Sequence, residues 1–133
     1  MIKRRKLKPR SAFAAIKNLK GEYLLCLRSK KCGNPETWHF VGGNIENGET
    51  VNVGLVREVI EEIGNVKGGY VVINQTVLHT PRKDFYVQTF LVEKKFKPKL
   101  NDEHTDYQWL TVDDMKCVCL HPVTWKLINL GLL

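Results

Sequence analysis

The residues of this chain best suited to chemistry are three glutamates, Glu58, Glu61 and Glu62, set in Arg57-Glu58-Val59-Ile60-Glu61-Glu62-Ile63-Gly64. On a helix, positions i, i+3 and i+4 share one face, so the three carboxylates crowd together. At an effective dielectric of ~20 and ~6 Å separation, each like-charged pair costs roughly 3 kcal/mol. Apolar residues at helical spacing, Val53, Val56, Ile60 and Ile63, predict that the helix packs closely against something, and Leu55 and Val59 add apolar surface on another flank. The acidic strip is then narrow and poorly solvated. A hard divalent cation relieves such a cluster, and carboxylate oxygens are the ligands Mg²⁺ or Mn²⁺ prefers. Arg57 reaches Glu61 at i+4, and Glu49 stands just before the helix. An Arg57–Glu49 fork would hold metal ligands in place from behind. Upstream, Gly42-Gly43 permits a close approach of main chain to a ligand or ion.

The elements that must position these groups follow from the flanking pattern. Thr50 to Ile63 contains no proline and reads as a helix, stopped by Gly64 as its C-cap. Ser11–Leu19 and Gly21–Ser29 read as strands joined by a tight turn near Lys20-Gly21, the second carrying the continuous apolar run Tyr23–Leu27 of a strand buried on both faces. Trp38–Val41 reads as a short strand ended by Gly42-Gly43. Further strands are predicted over 70–80, 85–93 and 107–111, a short helix starting at Thr111 with Asp114, and a last helix from Pro122 to about Leu130. Strands bracketing one central helix make a mixed α/β domain.

Gly43 to Asn65 resembles the Nudix box, G-x5-E-x7-R-E-U-x-E-E-x-G-U, where U is bulky and aliphatic. Gly43, Glu49, Arg57, Glu58, Glu61, Glu62 and Gly64 match its seven fixed positions, and Val59 its first U. Seven such matches arise by accident in about one window in 10⁸. Asn65 departs from the pattern at the final aliphatic position, where Val66 can fill the space. Trp38-His39-Phe40-Val41-Gly42-Gly43 is similar to the family's W-x-x-P-G-G segment, with Val41 in place of proline. The stretch from Asp102 to Leu110 resembles the family's late acidic loop and Trp-bearing strand.

The resemblance implies an α/β/α sandwich with a mixed β-sheet and the box helix packed on it. It also implies hydrolysis, with Mg²⁺ or Mn²⁺, of the diphosphate linkage in a nucleoside diphosphate derivative such as ADP-ribose, a dinucleoside polyphosphate, a nucleotide sugar or a (d)NTP. Carried over by position, Glu58, Glu61 and Glu62 with the carbonyl of Gly42 are the metal ligands. Glu58, Glu61 and Glu103 are the candidate bases, and Arg57 joins this catalytic set by orienting it. Gly43, Glu49 and Gly64 are supporting residues. Arg28 and Arg82, in loops either side of the box, are candidates for phosphate, although Lys30, Lys31 and Lys83 lie beside them. Trp38 and Tyr86, with Phe85, are candidates to stack on a base, against the commoner role of strand aromatics in a core. Three other functions share the scaffold: a nucleotide-binding module without catalysis, a hydrolase of RNA 5′ ends, and an isopentenyl diphosphate isomerase, whose members depart from the complete box. Every box glutamate is in place, which argues against the first.

Composition bounds the rest. A chain of 133 residues suits a single domain over 1–133 with a real core. Its 43% apolar and 26% charged content is that of a soluble globular protein, and no apolar run is long enough to span a membrane. No secretory signal follows the basic start, so the cytoplasm is the expected location. The net charge of +7 is concentrated: six of the eight residues 3–10 are Lys or Arg, leaving 15 basic against 14 acidic residues elsewhere. This arm, residues 1–10, would attract phosphates or nucleic acid. The favoured partner is nonetheless a nucleoside diphosphate-linked small molecule, and a homodimer is compatible with the resemblance. Cys26, Cys32, Cys117 and Cys119 form no CxxC and read as structural thiols.

Overall fold

The computed structural model describes residues 8–133. Most of the basic arm, residues 1–7, lies outside the described residues. At its end Lys8 pairs with Asp84 at 2.8 Å, and the Arg10 guanidinium donates to the Glu49 carbonyl at 3.0 Å.

A seven-stranded mixed sheet is built around β1 (Arg10–Asn18). β1 runs antiparallel to β2 (Tyr23–Arg28) and β4 (Val41–Asn44), and parallel to β6 (Asp84–Val92) along its whole length. Beyond β6 lies the antiparallel edge strand β5 (Val71–His79). On the other side β2 carries β3 (Trp38–His39) and β7 (His104–Leu110). The helices are α1 (Val51–Ile63), α2 (Val112–Met115) and α3 (Pro122–Asn129).

Residues of β1 alternate between two cores, as the period of two requires. Ala12, Ala14 and Ile16 pack with Leu24, Cys26 and Val41 beneath Leu55, Val59 and Ile63 of α1. Phe13 and Ala15 pack with Leu25, Phe40 and Val87 on the opposite face, where Met115 of α2 and Val123 and Leu127 of α3 close the second core. Helices therefore cover both faces of the sheet, in the α/β/α arrangement the resemblance implies. The small side chains of Ala12 and Ala14 let α1 sit close to the strand.

Local chemistry explains the helix limits. Thr50 caps α1 by accepting the Val53 N–H, and Gly64, at φ 75°, ends it with its own N–H donated to the Ile60 carbonyl. Thr111 and Asp114 form a reciprocal capping box at α2, and Pro122 opens α3. Val66 packs against the α1-side core while Asn65 is exposed, so the departure at the last box position is absorbed one residue later.

Two expectations need correction. The buried face of α1 is Gly54, Leu55, Val59, Glu62 and Ile63, whereas Val53, Val56 and Ile60 are 59%, 39% and 49% exposed. The helix is apolar over most of its circumference, so spacing alone offers two stripes; the stripe of Leu55, Val59 and Ile63 is the one that meets β1. Secondly, Gly42-Gly43 does not end the strand before it. Trp38–Val41 breaks at Phe40, and Val41, Gly42, Gly43 and Asn44 continue as β4, paired with Ala14, Phe13, Ala12 and Ser11.

Burial on this scale fixes an expected contrast. Leu55→Ala should destabilise the fold by about 3 kcal/mol, and Val53→Ala by less than about 0.5 kcal/mol. Urea unfolding at low protein concentration measures both, and equal losses would reverse the assignment of faces.

Candidate active site

β4, α1 and the loop before β7 bring the chemistry together in an open cleft of about 440 Å³. Glu58, Glu62, Gly42 and Gly43 form one wall, Glu103 another, and Arg28, Lys83, Phe85, Asn34 and His121 face them.

Gly42 lies at φ 147°, and a Cβ there would collide with the Ala12 carbonyl oxygen and come within 2.7 Å of the Phe13 Cα. At Gly43 a Cβ would lie 2.8 Å from the Glu58 carboxyl carbon. The two glycines thus let β4 run against β1 while leaving room for a carboxylate. Gly42 also donates its N–H to Glu62 Oε2 at 2.9 Å.

Arg57 ties the wall together. Nε and Nη2 clasp Glu49 at 2.9 and 2.8 Å in a two-point fork, Nη1 reaches Glu58 at 3.0 Å, and Nη2 also donates to the Asn44 carbonyl at 3.1 Å. The fork expected from the sequence is present. With Arg57 and the Glu46 N–H both bonded to it, the Glu49 carboxyl is held down to about 2. Glu61, only 3.5 Å from Nη1, is 55% exposed at the outer border of the strip.

The other carboxylates experience the opposite environment. Burial pushes Glu62 up to about 9, against the pull of the Gly42 N–H, and the nearby Glu103 and Glu58 push the same way. Burial also raises Glu58, opposed by Arg57. Across the cleft Arg28 donates Nε to the Gly33 carbonyl at 2.7 Å, and Lys83 donates to Asn44 Oδ1 at 3.0 Å. His121 accepts the Val123 N–H on Nδ1, and its Nε2 lies 3.3 Å from the side-chain amide nitrogen of Asn34. Burial, then Arg28, brings its pKa down to about 4.

Of the residues singled out in the sequence, Arg28, Gly42, Gly43, Glu58, Glu62 and Glu103 line the cleft, and Glu49, Arg57 and Gly64 support it. Arg82, Trp38 and Tyr86 do not line it. Lys83 and Phe85, their neighbours in chain, do, because the alternation of β6 turns Tyr86 toward the α1-side core and Phe85 toward Phe13. Asn44, Cys32, Asn34 and His121 had no signal in the sequence. They arrive from segments that only the folded sheet makes adjacent.

The NUDIX domain family model matches residues 7–130. The chain belongs to the NUDIX family. Its relatives include the nucleoside triphosphatase NudI of Escherichia coli, 28% identical over 85% of this chain and 90% of that protein. Among solved structures, a MutT protein from Methanosarcina mazei is 27% identical, with a TM-score of 0.69 over 98% of this chain and 96% of its own. A bifunctional NMN adenylyltransferase/ADP ribose pyrophosphatase of Francisella tularensis, in complex with AMP and a manganese ion, shares the fold at 19% identity. Its TM-score is 0.72, over 96% of this chain and 42% of that one. The protein is thus a Nudix hydrolase, of the class that acts on pyrophosphate bonds.

Whether the residues suit a divalent ion is decided by donor chemistry. Among the described residues no three acidic, imidazole or thiol side chains already converge as a ligand set, and Glu58 is drawn to Arg57 instead. Yet Glu62 is a buried carboxylate with one N–H partner and two acidic neighbours, and all its donors are hard oxygens. A small, hard cation matches that deficit.

The sign of the resulting pH effect is fixed. Glu62 is protonated in the folded protein up to about pH 9 but only to its usual 4.5 when unfolded. Stability without metal is therefore fullest below 4.5 and declines as pH rises toward 9. In EDTA, Glu62→Gln should flatten this decline and melt above wild type at pH 8. A Glu62→Gln protein that melts lower there, with the slope unchanged, would exclude the assignment.

Proposed function

We propose that this Nudix hydrolase cleaves the diphosphate linkage of a nucleoside diphosphate derivative with Mg²⁺ or Mn²⁺ bound, and that nucleoside triphosphates are its first substrates to test. The observation that carries this reading is the meeting of Glu58, Glu62 and Glu103 in one cleft that Arg28 and Lys83 also line. Similarity to NudI over most of both chains favours a triphosphate over a larger conjugate.

In this reading Glu58 and Glu62, with the Gly42 carbonyl, would hold the ion, and Glu61 would contribute from the exposed border. The ion, when bound, neutralises phosphate charge and lowers the pKa of the attacking water. Glu103 takes the proton from that water, its loop position leaving it free of Arg57, to which Glu58 is bonded. Arg57 and Glu49 keep the α1 carboxylates in register with β4. Arg28 and Lys83 receive the phosphate oxygens, and Phe85 offers its ring to the base. Water attacks phosphorus, the anhydride P–O bond breaks, and a triphosphate leaves as nucleoside monophosphate and pyrophosphate. Four unpaired thiols and free nucleotides as substrate suit a reducing compartment, the cytoplasm.

Glu58→Gln should lower kcat by ~10²–10⁴ at saturating Mg²⁺. A panel of (d)NTPs, ADP-ribose, a dinucleoside polyphosphate and a nucleotide sugar, assayed for monophosphate release, tests the substrate class. Near-full activity of Glu58→Gln would remove the mechanism; turnover of none of the panel by the wild type would remove the function.

A further inference from the structure

Both cations of the cleft are held by neutral acceptors. Arg28 donates Nε to the Gly33 carbonyl, and Lys83 donates Nζ to Asn44 Oδ1 at 3.0 Å. Several lysines elsewhere have acids instead: Lys8 pairs with Asp84, Lys95 with Glu22 and Lys116 with Asp113. None of the ion pairs among the described residues takes in Lys83. The next residue, Asp84, is engaged by Lys8 and His79, at 2.8 and 2.9 Å. The ammonium of Lys83 therefore faces the cleft with its charge uncompensated.

That ammonium is nonetheless fixed in place. Thr80 sets the backbone of Lys83: its Oγ1 donates to the Lys83 carbonyl at 2.6 Å and accepts the Lys83 N–H at 3.1 Å. Nζ lies 5.8 Å from the centre of the Phe85 ring, within cation–π reach. Asn44 then decides where it points. Lysine can only donate, so Asn44 must turn its oxygen, not its nitrogen, toward Nζ. Ser11, which is 3% exposed, fixes that orientation by donating its Oγ to the same oxygen at 2.9 Å. The two residues are partners in the register of β1 on β4. The main-chain carbonyl of Asn44 meanwhile accepts Nη2 of Arg57. One residue thus joins the acidic wall through its backbone and the cation through its side chain. An amide oxygen orients an ammonium without cancelling its charge, whereas a carboxylate there would take the place of a phosphate. Position 44 is one of the unspecified positions of the box, so the motif itself does not demand the amide.

We infer that Asn44 is a positioning residue, which holds the charged Lys83 ammonium where the phosphates of the substrate bind. The inference rests on the hydrolase reading of the cleft and deepens it. Asn44→Ala removes the acceptor but keeps the main-chain carbonyl that Arg57 uses, so the acidic wall stays intact. KM for a nucleoside triphosphate should rise roughly three- to tenfold, the cost of ordering one long side chain on binding. A kcat within about twofold of wild type would mark the loss as one of uniform binding. Asn44→Asp has nearly the same shape but puts a carboxylate against Lys83, so it should raise KM further than Asn44→Ala. A residue needed only for structure would give the opposite order. In a Lys83→Ala background, Asn44→Ala should add nothing. Titration with inorganic triphosphate should repeat the same order in Kd, with melting temperatures to show that each variant is folded. The inference falls if Asn44→Ala keeps the wild-type KM and Kd, or if Asn44→Asp is the milder variant. It falls equally if the effects of Asn44→Ala and Lys83→Ala add in full, or if the wild type binds no inorganic triphosphate. A wild type that turns over no nucleotide removes the hydrolase reading instead, and the titration then still decides the role of Asn44.

Discussion

The guanidinium of Arg57 presents five N–H donors in one plane, and the chain supplies acceptors for them from two elements. The Asn44 carbonyl comes from the end of β4, Glu49 from the loop that follows it, and Glu58 from the residue next to Arg57 on its own helix. Because a guanidinium stays charged under all working conditions and presents a planar fork, the cationic side of this clasp does not depend on pH. It joins a strand-end loop to a helix, and every other feature of the acidic wall depends on that junction. Without it the loop would be free to swing, and the carboxylates of α1 would lose their alignment with the glycines of β4.

The wall then divides its glutamates by environment. Glu49, clasped at both oxygens, is locked as an anion; Glu62, a few turns of chain away, is buried where ionisation is costly. Residues of one chemical type thus serve two purposes, a permanent anchor and a reserve of negative charge that becomes available when something positive arrives. The glycines make the arrangement spatially possible. A side chain at position 43 would occupy the volume that the Glu58 carboxylate fills. The same economy shows in Ala12 and Ala14, whose small size lets α1 settle close enough for Glu62 to meet the Gly42 N–H.

Much of the acidic wall was legible in the sequence because it is local. Glu49 to Glu62 spans a loop and one helix, and the spacing of charges along a helix maps directly onto space. The helix caps at Thr50 and Gly64 and the capping box at Thr111 were legible for the same reason. What escaped depended on contacts between distant segments. Phe85 rather than Tyr86 faces the cleft because of how β6 registers on β1, and a single sequence holds no record of that pairing. Arg82 and Lys83 present the same difficulty at the adjoining turn. The face of α1 was misjudged because valine and isoleucine recur on two sides of it, and only the alanines of β1 decide which side is buried. Asn34 and His121 meet across 87 positions and left no trace in local pattern.

The parallel pairing of β1 with β6 has a consequence for how the molecule comes into being. Arg10 is matched with Asp84, 74 positions further on, and the match continues to Asn18 with Val92. Closing so long a loop forfeits chain entropy before any contact rewards it, and such non-local topology slows folding. The helix and its clasping loop are local and can organise early, but the opposite side of the cleft is assembled from both ends of that span. During synthesis the acidic helix leaves the ribosome well before its facing lysine and phenylalanine do. The half-built chain therefore carries its charge cluster exposed to water, where repulsion is cheapest, and confines it only when the last strands arrive.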